Sequence, residues 1–235
     1  MADFVLVHGA WHGAWCWKRI LPGLWSAGHR AIAVTLTGTG ERAHQLSPGI
    51  TLRTHADDVA AVIEAEEMEN AIVVGHSYGG MVITAVADRM PERFAQLVYL
   101  DAVVPLPGES WSSGHPEQTK AQRRQAIAAT GSIPPADPAV FGLAGEDAQW
   151  VARRQTPQPG GVYDDALQFD AARVASLPRT FIDCNAPALA TIAIMRERVR
   201  QQPGWQVLEI ATGHDAMISA PEELLRLLLA NAGAK

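Results

Sequence analysis

The chain has 235 residues, 48% of them hydrophobic and 19% charged, which is typical of one soluble α/β domain with a substantial core. Its net charge of −6 argues against nucleic acid and anionic membrane surfaces as partners. Two cysteines, Cys16 and Cys184, are too few for a disulfide framework, and no Cys/His cluster has metal-ligand spacing. With neither a targeting signal nor an apolar run of the roughly 20 residues that span a bilayer, we expect a cytoplasmic protein, and the oligomeric state is not indicated.

Short apolar runs alternate with helical patterns along the chain. Strands are predicted at residues 3–7, 30–35, 71–75, 96–101, 179–184 and 205–210, and helices at 15–27, 54–66, 78–89, 188–201 and 221–232. Thr54 and Asp57 give the second helix a capping-box start. Strands separated by helices of this length predict an α/β fold, in which a mostly parallel sheet is flanked by helices.

Residues 104–178 are different, because they are dense in proline, glycine and charge and lack a strand pattern. A structureless loop of that length is improbable in a compact domain, so we predict a small helical cap with helices near 117–129 and 145–154. The predicted core is then 1–103 together with 179–235. Aromatic side chains of the cap are candidates for the lining of an apolar pocket: Trp111, Phe141, Trp150, Tyr163 and Phe169.

The predicted strand at 71–75 runs into Gly75-His76-Ser77-Tyr78-Gly79-Gly80, and a helical pattern follows directly. This order predicts a sharp turn between strand and helix, with the serine hydroxyl at its apex. The glycines allow the strand and the helix to approach closely around a serine with positive φ. Ser77 is therefore the predicted nucleophile.

A serine hydroxyl needs a base within hydrogen-bond reach and a third group that orients the base. In this strand-turn-helix architecture the histidine comes last along the chain. Gly213-His214-Asp215 follows the predicted strand at 205–210 and precedes the last predicted helix. His214 is therefore the predicted base.

The first predicted strand is followed by His8-Gly9-Ala10-Trp11 at its carboxyl end. A loop with a glycine at this place can aim a backbone N–H at the oxyanion, and the second donor is the N–H of Tyr78. We assign the first donor to Ala10, with Trp11 as the alternative, and expect His8 to hold the loop by a hydrogen bond. The predicted substrate-binding residues are Trp11, Trp111 and Trp150.

These three landmarks, in this order, resemble the α/β-hydrolase superfamily. The run from Val5 to Trp15 and the Gly-His-Ser pentapeptide are similar to the plant methylesterase and hydroxynitrile lyase branch and its bacterial relatives, over residues 3–105 and 179–230. The resemblance implies an α/β-hydrolase fold and a serine esterase with a Ser-His-Asp triad.

The acid of the triad departs from the pattern of that branch, where a carboxylate lies a few residues beyond the penultimate strand. Residues 185–188 of this chain contain no carboxylate. Some α/β-hydrolases carry the acid one strand earlier, and Asp101, at the end of the strand after the nucleophile helix, is our first candidate. Asp183 is the second, while Asp215 would have to fold back on its neighbour His214.

The expected function is a carboxylesterase that cleaves a small, largely apolar ester through an acyl-enzyme, with no cofactor or metal. Four arginines of the predicted cap are interpreted as solvated helix faces, so the cap offers no basic cluster for a carboxylate or phosphate: Arg123, Arg124, Arg153 and Arg154.

Three alternatives share the fold: a hydroxynitrile lyase, a hydrolase of carbon–carbon bonds or perhydrolase, and a ligand-binding relative without catalysis. Hydroxynitrile lyases of the branch carry a lysine after the catalytic histidine and a threonine in the first oxyanion loop. This chain has Asp215 and Ala10 there, which argues against cyanide release.

Overall fold

The computed structural model describes residues 1–233. Its strands are β1 (Asp3–Val7), β2 (Arg30–Val34), β3 (Ala71–His76), β4 (Phe94–Leu100), β5 (Ser132–Ile133), β6 (Gln158–Pro159), β7 (Arg179–Cys184) and β8 (Trp205–Ile210). Six of them form one sheet in the order β2-β1-β3-β4-β7-β8, and every neighbouring pair is parallel. The predicted parallel sheet is thus confirmed.

The helices are α1 (Leu21–Ser26), α2 (Leu52–Ala65), α3 (Gly79–Arg89), α4 (Glu117–Thr130), α5 (Gly145–Ala152), α6 (Ala171–Ala175), α7 (Ala193–Gln201), α8 (Ala216–Ser219) and α9 (Pro221–Gly233). Every residue of β3 is buried, which requires cover on both faces of the sheet. Among the helices described, none has the length and apolar composition needed to cross a membrane.

Three predicted helix starts were wrong. The helix predicted at 188–201 begins at Ala193, after a 3₁₀ turn at Ala190–Ile192. The predicted helix at 15–27 divides into a 3₁₀ turn, Ala14–Trp17, and α1, whose first turn contains the proline of the sequence Leu-Pro-Gly. The N-cap of α2 is Thr51 rather than Thr54, and the side chains of these two threonines form a reciprocal capping box. The helix starts earlier because Leu52 is buried and continues its apolar stripe toward the core.

Residues 104–178 contain α4 and α5 where helices were predicted, but the expectation that this region lacks strands was wrong. β5 and β6 form a small antiparallel ribbon, in which Ser132 pairs with Pro159 and Ile133 with Gln158. Strands of two residues, one ending in proline, are too short to produce an alternating pattern in the sequence.

Of the five non-glycine residues with positive φ in the part of the chain that the structure describes, three lie at the carboxyl edge of the sheet, while Glu67 and Asn70 lie in the turn before β3. Ser77 follows β3 with φ of 53°, Asp101 follows β4 with φ of 41°, and Trp11 lies in the loop after β1 with φ of 66°. Non-glycine residues in this region cost about 1–3 kcal/mol each and persist where the surrounding structure holds them. The strain therefore points to the edge where the parallel strands end.

The capping box of α2 gives a stability test. Thr51→Ala removes a side-chain acceptor for the first turn, and we expect it to lower the free energy of unfolding by about 1 kcal/mol. For a domain of this size that corresponds to a fall in Tm of about 2–4 °C. Arg53→Ala is the control, because the Arg53 side chain on the same turn is 87% exposed. Equal Tm values for the two variants in thermal denaturation would contradict the role of Thr51.

Candidate active site

Ser77 occupies a sharp turn between β3 and α3. Its N–H donates to the carbonyl of Leu100 at 3.2 Å, and its own carbonyl accepts from the N–H of Val103 at 3.0 Å. A Cβ at Gly75 would lie 2.7 Å from the carbonyl oxygen of Gly79, so strand and helix meet where only glycine fits. The predicted elbow is therefore formed, and it is fixed to the end of β4.

The loop after β1 touches this elbow. A Cβ at Gly9 would lie 2.7 Å from the Cβ of Ser77, so the loop approaches the serine as closely as glycine allows. Within residues 1–233, the backbone N–H groups of Ala10 and Tyr78 have no hydrogen-bond partner. The N–H of Trp11, in contrast, donates to Oε1 of Gln158 at 3.0 Å. Ala10 is thus better placed than Trp11 to offer a free donor.

His8 holds the loop, as predicted. Its Nδ1 lies 2.7 Å from the carbonyl oxygen of Gly9, and its Nε2 accepts from the N–H of Leu36 at 3.1 Å. Burial lowers the pKa of His8 to about 3, so the ring is neutral and its single N–H donates to the Gly9 carbonyl.

His214 is paired with Asp101. The Nδ1 of the buried imidazole lies 2.6 Å from Oδ2 of Asp101, which directs Nε2 to the opposite side of the ring. Asp101 directly follows Leu100, whose carbonyl accepts from the Ser77 N–H. Ser77 and the His214–Asp101 pair therefore lie close together at the carboxyl edge of the sheet. No hydrogen bond joins Ser77 Oγ and His214 Nε2 in this structure. Contacts of this kind commonly tighten only in the substrate complex.

Asp183, the alternative acid, faces other partners. Its carboxylate accepts from Nε of Arg196 and Nη2 of Arg200, each at 2.5 Å. Arg196 is buried, and its Nη2 also donates to Oδ1 of Asp101 at 2.6 Å. One guanidinium therefore bridges the two carboxylates and leaves the second oxygen of Asp101 to His214. The sequence contained no signal for Arg196, since α7 carries three arginines and its pattern does not show which one faces inward.

Asp215 does not fold back on His214 but turns into the core. Its Oδ2 lies 3.1 Å from Nε2 of His12, and its Oδ1 lies 3.5 Å from Nε2 of His76. Ligand atoms of His76, His214 and Asp215 lie within 4.8 Å of one another, a spacing that a metal ion could use. Because Asp101 engages His214 and His12 engages Asp215, the arrangement fits a hydrogen-bonded network better than a metal site.

The predicted pocket tryptophans separate into two groups. The ring centre of Trp111 lies 5.9 Å from that of Trp11 and 5.2 Å from that of Tyr78, beside the elbow. Trp150 instead packs against Trp15 at 5.0 Å, and the structure does not bring it to this cluster. The ring centre of Phe141 lies 5.6 Å from that of His214 and 6.0 Å from that of Trp11, so Phe141 packs between them.

The interpretation of Arg123 as a solvated side chain was wrong. Its guanidinium lies over the rings of Trp111, Trp11 and Tyr163, at 4.9, 5.3 and 5.4 Å from their centres. The neighbouring Arg124 is exposed and pairs with an aspartate, as expected of a solvated face. α4 therefore rests one arginine on the aromatic cluster, where a flat cation packs well on ring faces.

The bridge made by Arg196 gives a stability prediction. Arg196→Met leaves the carboxylates of Asp101 and Asp183 buried without that partner, and we expect a loss of about 3–5 kcal/mol in the free energy of unfolding. Arg200→Met is the control, because the Arg200 side chain is 40% exposed and we expect a much smaller loss. Urea titrations of both variants measure the difference, and equal losses would show that the bridge is not the critical contact.

A profile of the alpha/beta hydrolase family matches residues 4–227. The carbendazim hydrolyzing esterase of Nocardioides sp. (strain SG-4G) is 40% identical over 98% of this chain and 99% of its own. Methylesterase 7 of Arabidopsis thaliana is 27% identical over 96% of this chain and 94% of its own. A solved extracellular alpha/beta-hydrolase from a Paenibacillus species superposes with a TM-score of 0.87 at 22% identity, covering 100% of both chains.

Proposed function

Because the chain belongs to the alpha/beta hydrolase family and is an esterase of the serine hydrolase type, we propose that Ser77, His214 and Asp101 are its catalytic triad. The observation that carries this assignment is the 2.6 Å contact between His214 Nδ1 and Asp101 Oδ2, at the corner of the sheet edge where the Ser77 elbow is fixed. The free N–H groups of Ala10 and Tyr78 support the assignment of the oxyanion hole to these two residues.

The reaction is acyl transfer to water. His214 Nε2 accepts the proton of Ser77 as Oγ attacks the ester carbonyl, and Asp101 keeps the ring in the required tautomer. The Ala10 and Tyr78 N–H groups stabilise the oxyanion, and such a donor contributes about 3 kcal/mol to lowering the barrier. His214 then protonates the leaving alcohol. A water activated by the same imidazole releases the acid and regenerates Ser77.

The surroundings favour small, largely apolar esters. Trp11, Trp111 and Phe141 form an aromatic cluster beside the elbow and the imidazole, which suits an apolar acyl or alcohol group. The relative at 40% identity hydrolyses carbendazim according to its name, so this compound belongs in a substrate panel with short-chain p-nitrophenyl esters.

The nucleophile is tested by Ser77→Ala. Without the hydroxyl no acyl-enzyme forms, so we expect kcat for p-nitrophenyl acetate to fall at least about 1,000-fold. Covalent labelling by a fluorophosphonate should disappear in parallel. Ser26→Ala, at an exposed position on α1, is the control and should retain both properties. Full hydrolytic activity in Ser77→Ala would dismiss the serine mechanism.

The acid is tested by comparing Asp101→Asn with Asp183→Asn. An amide at position 101 no longer accepts the Nδ1–H of His214, so we expect kcat to fall roughly 1,000-fold or more. Asp183→Asn should affect stability more than turnover, because its carboxylate contacts arginines only. Rates are normalised to the fraction of folded protein. The reverse ranking would assign the acid to Asp183.

A further inference from the structure

One buried polar network joins the three chain segments that carry the proposed reacting groups. His12 lies two residues after Ala10, His76 directly precedes Ser77, and Asp215 directly follows His214. The side chains of these three network residues lie in the core, with relative exposures of 1%, 1% and 0% in the order His12, His76 and Asp215. The mechanism described above uses none of them.

The imidazole of His12 connects two of the segments. Its Nδ1 lies 2.7 Å from the carbonyl oxygen of Ala10, and its Nε2 lies 3.1 Å from Oδ2 of Asp215. Both neighbours are acceptors, so a protonated ring satisfies both with its two N–H donors. Trp15 stacks on the ring at 5.1 Å with an angle of 17° between the planes, which holds its orientation.

The third segment joins through His76. Its Nε2 lies 3.1 Å from the carbonyl oxygen of His214 and 3.5 Å from Oδ1 of Asp215. Burial lowers the pKa of His76 well below its ordinary value, so this ring is neutral and its one proton lies on Nε2, toward both oxygens. Within residues 1–233, Oδ1 of Asp215 has no hydrogen-bond partner, so His12 is the group that stabilises the charge of this carboxylate.

His12 and Asp215 lie at ion-pair distance, 3.1 Å, and each stabilises the charged form of the other. Burial alone would lower the pKa of His12 and raise that of Asp215. Their mutual attraction outweighs burial, so the pKa of His12 is raised and that of Asp215 is lowered to about 2. Burial keeps the nearby His8 ring and Cys16 thiol neutral, since it lowers the pKa of His8 to about 3 and raises that of Cys16 well above its ordinary value.

We propose that His12 and Asp215 are positioning residues of the esterase site, which fix the oxyanion loop relative to the Ser77 elbow and the His214 loop. This inference rests on the proposed function. Neither side chain bonds to Ser77 Oγ or to the His214 ring. The pair therefore acts through the Ala10 carbonyl, which His12 contacts, and through the backbone next to Asp215, where His76 contacts the His214 carbonyl. Small displacements of oxyanion donors and base reduce transition-state stabilisation far more than substrate binding.

Three variants each remove a different contact of the network. The amide of Asn corresponds to Nδ1 of histidine and that of Gln to Nε2, so His12→Asn keeps a donor for Ala10 and His12→Gln keeps one for Asp215. Asp215→Asn removes the buried charge. Thr180→Val is the matched control, because Thr180 is buried in a polar cluster with Asn231 near the start of β7, at the opposite edge of the sheet.

The assay measures kcat and KM for p-nitrophenyl acetate per active site, titrated with a fluorophosphonate. It is combined with inhibition by an alkyl trifluoromethyl ketone, in which Ser77 Oγ bonds to the carbonyl carbon, its proton passes to His214 and the ketone oxygen becomes the oxyanion. For all three network variants we expect kcat to fall about 10- to 100-fold with KM changed less than about threefold. Affinity for the ketone should fall in step with kcat/KM.

Thr180→Val should lower Tm and leave kcat per site unchanged. Wild-type kcat per site in the network variants, or a loss of the same size in Thr180→Val, would overturn the inference. If Asp215→Asn gives no folded protein, the two His12 variants decide. Activity retained in Ser77→Ala would overturn the proposed function itself, whereas an inactive Ser77→Ala beside fully active network variants would overturn only the positioning role.

Discussion

The rest of the site depends on the carboxylate of Asp101, because its two oxygens bind two different partners. Oδ1 accepts from Arg196 and Oδ2 from His214, both at 2.6 Å. The residue itself has φ of 41°, and its N–H is tied to the carbonyl of Ile182 at 2.8 Å. Strain at this turn is held by the neighbouring strand on one side and by a guanidinium and an imidazole on the other.

His214 is consequently positioned from two directions. Its ring is held by Asp101, while its carbonyl accepts from His76 at 3.1 Å and its N–H donates to the carbonyl of Phe141 at 2.9 Å. Arg196 bonds to Asp101, the proposed acid, and the His12–Asp215 pair adjoins His214, the proposed base. A buried charge without a partner is costly, which explains why Asp101 and Asp215 each lie in a network of several polar groups.

The features predictable from sequence were those encoded locally. The β3 run and the Gly-His-Ser turn that follows it are contiguous, and the Ser77 elbow forms at the predicted place. Contacts between distant residues had no such signal. His12 and Asp215 are 203 positions apart in the sequence and contact each other in the fold. Trp150 is of a residue type that often lines pockets, but it packs against Trp15 instead. The sequence favoured Asp101 over Asp183 because residues 185–188 contain no carboxylate. Only the tertiary structure shows that Arg196 binds both aspartates.

Trp11 links the proposed oxyanion loop to residues 104–178, which contain the β5–β6 ribbon. Its N–H donates to Gln158, its carbonyl accepts from the N–H of Thr156 at 2.9 Å, and its indole N–H donates to the carbonyl of Ile133 at 3.2 Å. All three partners lie in or beside the β5–β6 ribbon. The ribbon therefore helps to hold Trp11 at its positive φ, directly beside the free N–H of Ala10. Residues 104–178 therefore support the loop of the proposed oxyanion donor and also supply Trp111 and Phe141 to the aromatic cluster, so we expect substitutions in this segment to change turnover and substrate preference together.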